Sequence, residues 1–170
     1  MMLAPPPLPV DESERLDALR RLQILDTPPS ENLDRIARLA ARALRVPIVL
    51  VSLVDQDRQW FKASVGLDAA ETARDASFCA HAVFDRKPMV VCDACKDPRF
   101  SANPLVIGAP YIRAYVGIPL YTISRQPIGT ICAIDRKARM FAEEEIQVLG
   151  EYAKLVESEL NARDAGPLTQ

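Results

Sequence analysis

With 170 residues, 49% of them hydrophobic and 26% charged, the chain is long enough for one domain with a buried core. A formal net charge of -2, with acidic and basic residues interleaved along the helical stretches, excludes a basic nucleic-acid surface. No apolar run nears the roughly 18–20 residues that span a bilayer, so no membrane partner is expected, and four cysteines are too few for a disulfide scaffold, which favours a reducing cytoplasm.

Residues 1–10 hold four prolines and no basic flank, which predicts a flexible Pro-rich arm rather than a signal peptide. Residues 11–25 repeat Leu16, Leu19, Leu22 and Leu25 at a spacing of three, a helical stripe. Thr27 before Pro28 gives the next helix a cap and an N1 proline. Its predicted stripe is Leu33, Ile36, Leu39, Ala40, Ala43 and Leu44, and it ends before Pro47. The period then changes. Residues 48–54 are apolar on both faces, the pattern of a central strand, and 59–65 come next as a second strand after a polar turn. Residues 66–76 read as loop, 77–85 as a short helix and 88–93 as a third strand. Asp97-Pro98 repeats the cap-then-proline helix start, and Pro104 and Pro110 break the stretch up to residue 112 into turns and short helical pieces. Strands over 113–123 and 127–135 are joined by a short polar link, as in a hairpin. The last helix, 141–162, carries Ile146, Leu149, Ala153, Val156 and Leu160 at alternating spacings of three and four. That seam predicts a last helix lying beside the first and contributing to a homodimer through the terminal helices. Helices at both ends of an antiparallel strand block make the fold class α+β.

Side chains alternate across a sheet, so in the strand from residue 113 Ala114, Val116, Ile118 and Leu120 share one face, suited to packing helices. Arg113, Tyr115, Gly117 and Pro119 share the other, with a charge, a phenol and an open space at Gly117: the composition of a pocket floor. Such a face is too polar to pack dry, which predicts water or ligand over it. Trp60 or Phe61 would supply an aromatic wall.

Seven segments carry a family resemblance: Ile24-Leu25-Asp26-Thr27-Pro28, the run from Pro47 to Asp55, Gln59-Trp60-Phe61, Ser77-Phe78-Cys79-Ala80-His81, Asp97-Pro98-Arg99-Phe100, Asn103-Pro104-Leu105-Val106, and the run from Gly129 to Asp135. In this order the chain resembles a GAF domain, of the bacterial subgroup often found ahead of diguanylate cyclase or histidine kinase domains. The resemblance implies an antiparallel sheet of five or six strands, with terminal helices on one face. The other face would be covered by residues 66–112 over a small-molecule pocket. The implied domain is 11–163, with a flexible tail at 164–170. The site predicted from the strand face and the resemblance together is Trp60, Phe61, Phe78, Cys79, His81, Asp93, Arg99, Asn103, Arg113 and Tyr115. An anion is the preferred ligand class, because guanidinium groups grip carboxylate or phosphate in a bidentate fork and Arg99 and Arg113 would bracket the site.

Rival chemistries are weaker. Cys79, His81, Cys92 and Cys95 could supply four zinc ligands, but one residue between Cys79 and His81 is tight for a shared metal, so no metal is expected. Bilin attachment in phytochrome-type members uses a Cys beside a His, here separated by Ala80. The cyclic-nucleotide signature of phosphodiesterase members is incomplete around Asp135-Arg136 and Phe141. A thiol-based reductase like the free methionine sulfoxide reductases would use Cys79, yet no cysteine falls in 62–76 or 101–112 to partner it, and Cys92 and Cys132 read as packed within strands. No hydrolase motif is present. The expectation is a non-catalytic sensory module without a cofactor; a reductase and a ligand-free dimerisation domain are the alternatives.

Overall fold

The computed structural model describes residues 3–165. Residues 1 and 2 of the predicted arm, and the predicted tail from 166 onward, lie outside the described residues. Within the arm, Pro6 and Pro9 are buried.

Six strands make one antiparallel sheet: β1 (Ile48–Val54), β2 (Arg58–Val65), β3 (Glu71–Ala73), β4 (Met89–Val91), β5 (Ala114–Tyr121) and β6 (Pro127–Asp135), in the order β3-β2-β1-β6-β5-β4. All seven residues of β1 are buried, as their unbroken apolar run requires of a strand covered on both faces. The short edge strand β3 falls in the predicted loop; with Glu71 and Ala73 exposed it has no apolar alternation to betray it. Asp97 to Phe100 forms a turn and not the predicted helix.

Five helices flank the sheet: α1 (Glu12–Arg21), α2 (Glu31–Leu44), α3 (Phe78–Asp85), α4 (Pro104–Ile107) and α5 (Glu143–Ala165). The helix beside α5 is α2, not α1, which packs instead against β6. Ala37 and Ala40 on the inner stripe of α2 leave room for close packing, whereas Leu39 and Ala43, predicted inward, are exposed. Ser30 caps α2 by accepting from the Leu33 amide at 3.3 Å, while Thr27 donates to the Ile24 carbonyl and accepts from Lys62. The seam of α5 is spent inside the domain: Leu149, Ala153, Val156 and Leu160 are buried in its own core, with Ile146 packed against them. The 3-4 spacing therefore serves the protein's own sheet and α2.

Strand alternation divides the core in two. Val49, Val51, Leu53, Ala114, Val116 and Leu120 face α2 and α5. Ile48, Leu50, Val54, Tyr115, Cys132 and Ile134 face the layer built from α3, α4 and their loops. A bulge in β2 inserts Lys62 between the partners of Val51 and Ser52. Trp60 and Ala63 consequently both join the helix-side core, and Phe61 points to the opposite face. At the end of the sheet Arg15, wholly buried, donates to Glu12 at 2.8 and 2.9 Å, and Glu12 also receives Arg74. This charged clasp joins α1 to the segment entering α3.

Candidate ligand-binding cavity

Between the sheet and the α3–α4 layer lies a cavity of about 430 Å³, within the size range of small-molecule sites. Its floor is Ile48 and Leu50 of β1, Phe61 of β2, Tyr115 of β5, and Cys132 and Ile134 of β6; Phe78 and Cys79 of α3 and Leu105 of α4 close over it. Ala109, Pro110 and Ile112 form another wall, and Leu67 belongs to the loop after β2. Asp68 and Arg136 also line the cavity and are its exposed charged residues. Arg136 has no ion pair or hydrogen bond among the described residues.

The sequence folds this way because each wall is pinned locally. Ser77 caps α3, accepting from the Ala80 amide at 2.9 Å, which fixes the start of the helix carrying Phe78 and Cys79. Its hydroxyl also donates to Gln59 Oε1 at 2.8 Å. Gln59 accepts as well from Ser52 Oγ at 3.0 Å and donates to Thr72 Oγ1 at 2.6 Å, so this polar corner ties β1, β2, β3 and α3 together. Asn103 caps α4 through the Leu105 amide at 2.8 Å and donates to the Ala76 carbonyl at 3.0 Å, anchoring the second roof helix. Phe78 stacks on Phe100 with ring centroids 3.9 Å apart and tilts against Tyr115 at 5.2 Å.

At the floor, Tyr115 and Thr130 hydroxyls donate to Cys79 Sγ at 3.2 and 3.0 Å, and Cys132 Sγ lies 3.9 Å from it. Burial pushes the Cys79 thiol up, but its hydrogen bonds with Cys132, Thr130 and Tyr115 outweigh that and bring it below the usual thiol value. Burial and the neighbouring Cys79 push Cys132 and Tyr115 the other way, well above their ordinary values. The space predicted at Gly117 is taken: a Cβ there would strike the Tyr115 ring, which lies along its own strand.

Of the predicted site residues, the cavity gathers Phe61, Phe78, Cys79 and Tyr115. Trp60 belongs to the helix-side core. His81 lies edge-on to Phe100 at 5.0 Å; burial and the nearby Arg99 hold its pKa below the usual imidazole value. Asp93 accepts from the Cys95 amide, and Asn103 acts as the cap described above. Arg99 pairs with Asp97 at 2.8 Å and covers the Phe100 ring, and Arg113 donates to the Val106 and Ile112 carbonyls, both at 2.9 Å. The expected bracket of two arginines is therefore not formed. Nor does the polar strand face call for a ligand, since the protein itself satisfies Arg113 and Tyr115. Cys92 and Cys95 are exposed, away from the packed position predicted for Cys92, and all four cysteines are free. No group of three or more His, Cys, Asp or Glu side chains suited to a metal is found among the described residues. Sequence reasoning missed Gln59 and Arg136 as cavity residues. Gln59 was findable, since it alternates with Phe61 on one strand face; Arg136 lies just past the end of its strand and carried no such signal.

An antiparallel six-stranded sheet with helices on one face and a roofed cavity on the other defines the chain as a small α+β domain built around an internal pocket. Residues 28–160 match the sequence pattern of the GAF domain, and the chain belongs to that family. It is 41% identical over 155 residues to a cyclic di-GMP phosphodiesterase of Pseudomonas aeruginosa; the match covers 91% of this chain and 26% of that protein, so the chain spans about a quarter of its relative. Among solved structures, the GAF domain of an Acinetobacter phosphoenolpyruvate-protein phosphotransferase superposes with a TM-score of 0.69 at 19% identity, covering 92% of this chain and 98% of that one. The free methionine-R-sulfoxide reductase of Neisseria meningitidis superposes with a TM-score of 0.64 at 20% identity, covering 96% and 97%. These two likenesses show the fold.

Proposed function

We propose that this chain is a small-molecule-binding regulatory module of a signalling protein and does not itself catalyse a reaction. The observation that carries the reading is the cavity: a largely apolar chamber with a few fixed polar groups, roofed by two capped helices. Its chemistry favours a compact, mainly apolar or aromatic ligand. Arg136, exposed and unpaired among the described residues, is a ready partner for an anionic substituent at its edge. The match to one quarter of a cyclic di-GMP phosphodiesterase supports a role beside a separate output activity. Four free cysteines accord with a reducing cytoplasm, and no helix among the described residues is long and apolar enough to cross a membrane.

Native mass spectrometry of freshly purified protein tests this reading. A retained small molecule, lost when Leu67→Trp fills the cavity, is the expected result. Turnover of methionine sulfoxide by the chain would overturn its non-catalytic part.

A further inference from the structure

Reversible ligand binding needs no thiol chemistry, yet Cys79 and Cys132 are placed for it. They come from different elements, α3 and β6, and both line the cavity, with their sulfurs 3.9 Å apart. An S–S bond of about 2.05 Å needs less than about 2 Å of further approach between two side chains that already touch. Cys79 Sγ also accepts from two buried hydroxyls, Tyr115 and Thr130, an arrangement that stabilises negative charge on sulfur. A buried cysteine kept only for packing needs neither hydroxyl donor.

We propose that Cys79 and Cys132 form an oxidation site for a small hydroperoxide that enters through the cavity. In the first step the Cys79 thiolate attacks one peroxide oxygen. An S–O bond forms as the O–O bond breaks, and the departing alkoxide takes up a proton to leave as an alcohol, or as water from hydrogen peroxide. Sulfur is oxidised by two electrons and the peroxide is reduced by two. In the second step Cys132 sulfur attacks the Cys79 sulfenic acid. The S–S bond forms, the S–O bond breaks, and the hydroxide released combines with the Cys132 proton as water. Cys79 is the attacking thiol because it holds the hydroxyl donors, and its lowered pKa agrees with that assignment. Cys132 resolves. Once the disulfide closes, Cys79 loses its negative charge and becomes a weaker acceptor for Tyr115, whose ring packs on Phe78 and through it on Phe100. The site needs the cavity only as an entry path and stands whether or not a resident ligand occupies it.

The experiment is peptide mapping of the full-length reduced chain after mild hydrogen peroxide treatment, with denaturation and alkylation afterwards. The expected result is loss of two of the four alkylatable thiols, with the Cys79 peptide linked to the Cys132 peptide and both recovered after dithiothreitol. Cys132→Ser is expected to hold Cys79 as a sulfenic acid captured by dimedone, and Cys79→Ser to leave Cys132 unoxidised. Should a variant fail to fold, the wild-type map alone decides. Oxidation confined to the exposed Cys92 and Cys95, with Cys79 and Cys132 still alkylatable, would overturn the proposal. A chain that shows that outcome while retaining a small molecule in native spectra leaves the regulatory reading standing.

Discussion

The two faces of one sheet have been put to opposite uses. The face beneath α2 and α5 is filled with aliphatic side chains such as Val51, Leu53, Leu149 and Val156, and a groove of about 740 Å³ lies between β5 and α5, lined by charged residues such as Glu144, Lys154 and Glu157 as well as apolar ones. The face beneath α3 and α4 is built from aromatics, sulfur and hydroxyls around a void of about 430 Å³. Both faces belong to the same strands, so a cavity is not a failure of packing in this sequence. It is held open by caps at Ser77 and Asn103, by the Gln59 corner and by the stacked Phe78–Phe100 pair.

The sharpest way to break that comparison is to carve the helix side. Leu53→Ala should cost about 2–5 kcal/mol, since neighbours cannot collapse into the gap, whereas Leu67→Ala on the cavity side should cost less than about 1 kcal/mol, because the removed atoms border an existing void. Urea unfolding monitored by the fluorescence of the single tryptophan, Trp60, measures both. Next in size is the clasp at the end of the sheet. Glu12→Gln weakens the pairing of the wholly buried Arg15 and should cost about 1–3 kcal/mol. Burial pushes the Glu12 carboxyl up, but Arg15 and Arg74 outweigh it and hold it at about 2. A folded value below the unfolded one means its contribution is complete above about pH 4.5 and is lost as pH falls toward 2. The acid-side decline of stability in the wild type should therefore flatten in Glu12→Gln.

On the cavity side, Gly117→Ala forces the Tyr115 ring off its strand and should cost about 1–2 kcal/mol, with the larger consequence being loss of the phenol's bond to Cys79. A smaller change than Gly117→Ala is Tyr115→Phe. It should cost about 1 kcal/mol and, by removing one donor to Cys79, raise that thiol's pKa. Iodoacetamide labelling of Cys79 at neutral pH should then slow relative to wild type. Unchanged labelling would show that the phenol does not tune the thiol.

The same contrast explains what could be read from the residues. The unbroken apolar run of β1 and the alternation from Ala114 to Leu120 carried the sheet and the identity of its two faces, because burial writes itself into strand periodicity. The stripe of α5 was legible as buried, but spacing does not say against what, and the homodimer seam it suggested is the domain's own core. The β2 bulge was invisible, since one extra residue, Lys62, leaves no mark in so mixed a run; Trp60 and Phe61 stood as alternatives for the aromatic wall because alternation puts neighbours on opposite faces without saying which face holds the cavity. Charged residues fared worst. Arg99 and Arg113 looked available for an anion, and their partners, Asp97 and two backbone carbonyls, are set by loop geometry that no periodicity encodes. Gly117 looked like open space because a neighbouring side chain folding along its own strand is a tertiary event.

Methyl-resolved NMR tests the division of labour most directly, with 1-anilinonaphthalene-8-sulfonate as a compact aromatic anion titrated into the folded protein. Saturable shifts at the methyls of Ile48, Leu50, Ile112 and Ile134, with Leu53, Leu149, Val156 and Leu160 unmoved, are the predicted result. Shifts spread equally over both sets, or centred on the helix side, would contradict it.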